Sequence, residues 1–211
     1  MTRVKICGIT TSDHALGALD AGVDLLGFVF YPPSHRYVEP LRAAQIVADC
    51  RARFPGSWAA VGVFVNVPLE AVNRIARLAK LDLVQLAGEE SAAYCRSVER
   101  PVVKVVRVRA DGSPSGPTDA SAWQAERILL DTQRAGSYGG TGEAYDWSGV
   151  RPYARDALLA GGLTPANVRR AIQLAQPWDI DVSSGVERHK QKDPRLIRDL
   201  LLEVKGHVGA R

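Results

Sequence analysis

Eight short runs rich in β-branched and aliphatic residues recur along the chain: RVKICGI, DLLGFVF, AAVGVFV, LDLVQLA, PVVKVVRV, RILLDT, RDALLAG and WDIDVSS. Segments with apolar residues at helical spacing separate most of them, among them LRAAQIVADCRARF, LEAVNRIARLAK, SAAYCRSVER, PANVRRAIQLA and PRLIRDLLLEVK. Strand and helix in strict alternation imply parallel strands joined by right-handed crossovers. An open doubly wound sheet alternates in the same way. Eight strands in a chain of 211 residues, with a helix at the carboxyl end and no Rossmann glycine fingerprint, favour closure into a single (β/α)8 TIM barrel over residues 1–211.

The punctuation supports these units. Pro40, Pro68, Pro165 and Pro194 fall near first-turn positions, and Asp193 is available to cap the last helix. Two units are weak. DGSPSGPTDASAW reads as loop plus a short helix, and DWSGVRPYA leaves room for only a turn or two, so irregular fifth and sixth helices are expected.

Composition excludes several classes of function. At 46% hydrophobic and 24% charged, the chain has the make-up of an ordinary globular protein with a sizeable core. The net charge of +4 arises from basic residues spread along the chain instead of gathered in a stripe, so no nucleic-acid partner is expected. No run approaches the ~18 apolar residues of a membrane span, and no cleavable apolar leader opens the chain. Cys7, Cys50 and Cys95 show no CxxC spacing, which argues for a reducing, cytoplasmic setting and against a disulfide framework or a metal site.

In both α/β architectures ligands bind beyond the carboxyl ends of the strands, which directs attention to a few residues. Cys7 ends the first strand as a base or nucleophile, or else as a small buried hydrophobe, and Gly8 beside it would let a ligand approach the backbone. Asp131 ends the sixth strand, as an acid facing the same cavity or as a cap of the loop it enters. The glycine-rich QRAGSYGGTGEAYDW that follows is read as a lid. Arg36, in the proline-stiffened loop FYPPSHRYV, is suited to hold a carboxylate through two parallel hydrogen bonds, while His35 is read as a loop residue. AGGLTPANV and DVSSGVE follow the last two strands, and the N–H groups of Gly161, Gly162, Ser184 and Gly185 are suited to cradle a phosphate; ordinary turn chemistry is the alternative. Side-chain alternation puts Lys5 inside the barrel with Cys7, where an ammonium needs a partner. Asp181, on the neighbouring eighth strand, is expected to pair with it or to reach a substrate hydroxyl.

KICGIT, DLLGFVFYPPSHRYV, VGVFVNVPLEAV, LDLVQLAGEE, LLDTQRAGSYGGTGEAYDW, LAGGLTPANV and DVSSGVE, in that order, resemble the phosphoribosylanthranilate isomerase family over nearly the whole chain. The resemblance implies an Amadori rearrangement in tryptophan biosynthesis, with no metal or cofactor and a phosphorylated small-molecule substrate. It implies Asp131 as general acid, Cys7 as general base, Arg36 on the anthranilate carboxylate and the two glycine turns on the phosphate. Family members occur as monomers or homodimers. One departure stands out: QLAG replaces the family's usual QLHG, so Ala87 occupies a histidine position. The competing readings are a histidine-pathway or bifunctional aminoaldose isomerase, which Cys7 in place of the usual aspartate base disfavours, and a phosphate-binding barrel without catalysis.

Overall fold

The computed structural model describes residues 2–56, 58–132 and 145–206. Eight parallel strands form a closed barrel in sequence order: β1 (Arg3–Cys7), β2 (Leu25–Val29), β3 (Ala59–Phe64), β4 (Leu83–Leu86), β5 (Val102–Val108), β6 (Arg127–Thr132), β7 (Ala157–Leu159) and β8 (Asp179–Val182). Closure is made by β1 against β8, where Lys5 lies opposite Asp181. All eight strands lie within the runs marked in the sequence, although β7 is shorter than RDALLAG.

Burial on both faces explains why the strands are apolar almost throughout. Val4, Ile6, Leu26, Phe28, Ala60 and Phe64 point outward and belong to the layer between barrel and helices. The alternate residues Cys7, Val29, Val63, Val103, Val105, Leu129 and Leu158 fill the barrel interior. This is the period-two arrangement of a sheet covered on both sides.

Seven α-helices are found among the described residues: α1 (Ser12–Asp20), α2 (Pro40–Arg53), α3 (Leu69–Leu78), α4 (Ala92–Arg96), α5 (Arg151–Ala154), α6 (Val168–Ala175) and α7 (Pro194–Lys205). In α7 the buried residues are Ile197, Leu200, Leu201 and Val204, one apolar stripe at helical spacing. Each such side chain contributes roughly 1.5–3 kcal/mol on burial. Pro194 occupies the first turn, and the Asp193 carboxylate accepts from the Arg195 N–H at 2.8 Å. Cys50 in α2 and Cys95 in α4 are buried free thiols committed to this packing.

The two weak units are irregular, as expected. A 3-10 turn (Ala120–Trp123) follows β5, and α5 has only four residues. Two other expectations need correction. SAAYCRSVER yields only five helical residues, because the ladder tightens at its end to i→i−3 bonds, from the Ser97 N–H to the Tyr94 carbonyl at 3.0 Å and from the Val98 N–H to the Cys95 carbonyl at 3.2 Å. Pro165 lies in a turn ahead of α6, since the chain must first make the tight loop after β7.

Candidate active site

The carboxyl ends of the strands surround a pocket with about 800 Å³ of empty space, counting its open mouth. Cys7, Arg36, Asp131, Gly161, Gly162, Asp181 and Ser184 all line it, so residues from both halves of the chain meet at one opening. Gly185 lies just behind the rim. The proposed lid falls mostly on residues 133–144, outside the described residues.

Cys7 ends β1 with its thiol inside the barrel and 8% of the residue exposed. Beneath it, the Lys5 ammonium donates to Asp181 Oδ1 at 2.9 Å, and Lys5 is only 1% exposed. This is the ion pair the alternation called for. Gly27 on β2 makes room for it. A Cβ at Gly27 would stand 2.9 Å from Lys5 Nζ and 3.0 Å from Cys7 Sγ, so the missing side chain lets cation and thiol share that space. Burial would push the Lys5 ammonium down, but Asp181 and Cys7 outweigh it and hold it above its ordinary value. Burial pushes the Cys7 thiol up; Lys5 pulls against that, Asp181 adds to it, and Lys192 opposes it. In the free protein the sulfur therefore keeps its proton near neutrality, while cations wait on its anionic form.

Asp131, at the end of β6, holds two donors. Arg107 Nη1 donates to its Oδ2 at 2.9 Å, and the Thr132 N–H donates to its Oδ1 at 2.9 Å. Arg107 is placed by the register that sets it opposite Asp131, and its Nη2 is tied to the Ala87 carbonyl at 2.9 Å. Burial pushes the Asp131 carboxyl up; Arg107 draws it down, Asp181 raises it further, and the net direction is upward. A carboxyl that retains a proton more readily than usual is suited to act as an acid.

The loops after β7 and β8 are built on glycine. Gly161 and Gly162 adopt φ of +93° and +63°. A Cβ at Gly161 would lie 2.5 Å from Thr132 Oγ1 and 2.7 Å from the buried Tyr145 ring. Asn167 fixes the loop by accepting from the Thr164 N–H at 2.8 Å and donating to the Gly162 carbonyl at 2.9 Å. After β8 a 3-10 turn (Ser184–Val186) begins, and a Cβ at Gly185 would sit inside the Leu163 carbonyl. The two loops therefore touch backbone to backbone, with the first N–H groups of a helical turn at the pocket rim. Gly185→Ala must push them apart. The expected result is at least a tenfold rise in KM for a phosphorylated substrate and a stability loss of about 1–3 kcal/mol, read by kinetics and urea unfolding.

Arg36 is 8% exposed, and its forked edge is already engaged. Nε donates to Glu187 Oε1 at 2.7 Å and Nη2 to Glu187 Oε2 at 2.9 Å. The carboxylate held through two parallel hydrogen bonds is thus one of the chain's own, on an arginine that also lines the pocket. Gly8 has a different task from the one expected. At φ +88°, a Cβ there would lie 2.5 Å from Arg36 Cδ, so it is the arginine stem that approaches the backbone.

A family model described as N-(5'-phosphoribosyl)anthranilate (PRA) isomerase matches residues 4–203. This chain belongs to that family. A PRA isomerase of Citrifermentans bemidjiense is 46% identical over 209 residues, covering 97% of this chain and 98% of its own. A dimeric family member from Thermotoga maritima, solved as generated monomers, superposes with a TM-score of 0.80 at 37% identity, covering 98% of this chain and all of its own. A PRA isomerase solved with reduced 1-(o-carboxyphenylamino)-1-deoxyribulose 5-phosphate gives 0.79 at 39% identity with the same coverage.

Within the PRA isomerase architecture, five neighbours of the site went unnoticed in the sequence: Gly27, Arg107, Asn167, Glu187 and Lys192. For Arg107 a signal existed, since it shares the inward face of β5 with Val103 and Val105. Ala87 is 6% exposed among Val63, Val65 and Val105, on the apolar wall of the pocket. The departure from QLHG leaves a small side chain on the wall, and the backbone carbonyl, which any residue there would supply, accepts from Arg107 Nη2 at 2.9 Å.

Proposed function

We propose that the chain isomerises N-(5'-phosphoribosyl)anthranilate to 1-(o-carboxyphenylamino)-1-deoxyribulose 5-phosphate in tryptophan biosynthesis, with Asp131 as acid and Cys7 as base. The observation that carries this is the meeting of Cys7, Asp131 and the two glycine loops at one pocket. The N–H groups of Gly161, Gly162, Ser184 and Gly185 receive the phosphate, and Arg36 receives the anthranilate carboxylate. Fixing both ends leaves the ribose between acid and base. Asp131 gives its proton to the ring oxygen as the C1–O bond breaks, and the nitrogen lone pair closes a C=N bond to the open chain. The Cys7 thiolate then takes the C2 proton, the electrons of that bond move toward the iminium, and the resulting enolamine tautomerises to the ketone. Asp181, next to both groups, is placed to accept from a ribose hydroxyl with the oxygen that Lys5 leaves open. A free thiol at the site and two more in the core fit a reducing cytoplasm, and the unit acts as a monomer or a homodimer.

The competent form has Asp131 protonated and Cys7 ionised, so the pair holds one proton and kcat/KM is flat between the gain of a second proton and the loss of the last. Burial holds both groups above their ordinary values, which moves the profile toward higher pH. Asp131→Asn no longer needs a protonated carboxyl and should lose the alkaline limb, whereas Cys7→Ser no longer needs an ionised thiol and should lose the acid limb. An acid limb that persists in the kcat/KM profile of Cys7→Ser would contradict the assignment.

A further inference from the structure

The loop after β8 continues into a hairpin, β9 (Glu187–Arg188) paired with β10 (Gln191–Lys192), which sets Lys192 opposite Glu187. Its turn residues His189 and Lys190 have φ of +52° and +62°, both in the left-handed region that a tight two-residue turn requires. Glu187 Oε1 accepts from Lys192 Nζ at 2.6 Å as well as from Arg36. Lys192 also donates to the Ser183 carbonyl at 3.0 Å, and Ser183 Oγ donates to the Cys7 carbonyl at 3.0 Å. One chain of contacts thus joins the arginine of the second loop to the strand that carries the base.

We infer that Glu187 and Lys192 are positioning residues that aim Arg36 at the substrate carboxylate. The inference rests on the assignment of Arg36 to that carboxylate and adds how the arginine is made ready for it. A guanidinium offers two separate pairs of donors. Glu187 takes the side pair, Nε and Nη2, and so leaves the end pair, Nη1 with the second hydrogen of Nη2, outside that contact on a residue that lines the pocket. Held on one side, the arginine loses the freedom that a long cationic side chain would otherwise surrender on binding.

Two carboxylates on one guanidinium repel each other, and Lys192 addresses that cost. Arg36 and Lys192 against Glu187 leave one positive charge for an incoming anion. The Glu187 side chain is only 8% exposed, yet its hydrogen bond to Arg36 and the nearby Lys192 charge hold its carboxyl down to about 2, so the carboxylate stays ionised near neutrality; burial pulls the Lys192 ammonium below its ordinary value, against the pull of Glu187. His35 stands at the edge, its Nε2 3.7 Å from Glu187 Oε2.

The test compares two substrates, N-(5'-phosphoribosyl)anthranilate and its aniline counterpart without the carboxylate. Glu187→Gln should raise KM about tenfold for the first and less than twofold for the second, with kcat within about threefold on both. Glu187→Asp keeps the charge but shortens the reach, and should show a smaller effect of the same selectivity; it carries the test should the glutamine variant not fold. An equal rise in KM for both substrates would mean a general structural role and overturn the inference. So would unchanged or tighter binding of the anthranilate substrate, since loss of a negative charge alone would favour it. Arg36→Met separates the two layers of the argument. It should raise KM for the anthranilate substrate alone, and if it does not, the assignment of Arg36 itself fails.

Discussion

Asp131→Asn is expected to lower kcat by two to four orders of magnitude, the usual range for loss of a positioned acid, while KM changes only a few-fold. The amide has nearly the same shape and still accepts through its oxygen, so Arg107, which is also tied to the Ala87 carbonyl, keeps a partner. What disappears is the proton for the ribose ring oxygen. Loss of substrate fluorescence gives the rate, and a thermal melt shows that the fold survives. A large drop in melting temperature with activity retained would assign Asp131 a purely structural role.

Asp181→Ala is expected to cost about 3–5 kcal/mol of stability, the range found when one partner of a buried ion pair is removed. Lys5 is 1% exposed, and Asp181 is the carboxylate that holds it. Without that charge, burial drives the ammonium toward its neutral form, and the cation opposing the raised Cys7 thiol goes with it. Activity should therefore fall together with stability. A double variant, Lys5→Met with Asp181→Leu, should recover most of the stability in urea unfolding and none of the activity. The pH dependence has a definite sign. Because Lys5 is raised in the folded state, its contribution is complete below the unfolded lysine value of about 10.4 and is lost only as pH climbs through the folded value. Unchanged stability and unchanged kinetics in Asp181→Ala would dispose of the pairing as a working part of the site.

Much of the fold was legible because its causes are local. Runs such as VVKVVRV and RILLDT have the β-branched and aliphatic density of strands covered on both faces, and the spacing of Ile197, Leu200, Leu201 and Val204 marks one helix face. The pairing of Lys5 with Asp181 could also be anticipated, since alternation fixes the face and closure fixes the neighbour. The helix after β4 was overestimated because helical spacing carries on past Ser97, where the backbone bonds have already tightened to i→i−3 and the helix stops. In the site, residues at strand ends could be named, while those acting across loops could not. Glu187 and Arg36 are 151 positions apart, and only the folded barrel brings that carboxylate to the arginine. Gly27 and Gly8 are legible only as glycines; the atoms that exclude a side chain there belong to Cys7, Lys5 and Arg36.

The proton at C2 of the ribose offers the most direct test of Cys7 and Asp131 as a working pair. Turnover should be followed with ordinary and C2-deuterated N-(5'-phosphoribosyl)anthranilate in the parent protein, Cys7→Ser and Asp131→Asn. Cys7→Ser should be at least about a hundredfold slower with a larger deuterium effect, because a weaker base makes C–H cleavage limiting. Asp131→Asn should be slow with little deuterium effect, because ring opening then limits the rate. Parent-like rates in both variants, or the same isotope effect in all three proteins, would contradict the assignment of base and acid.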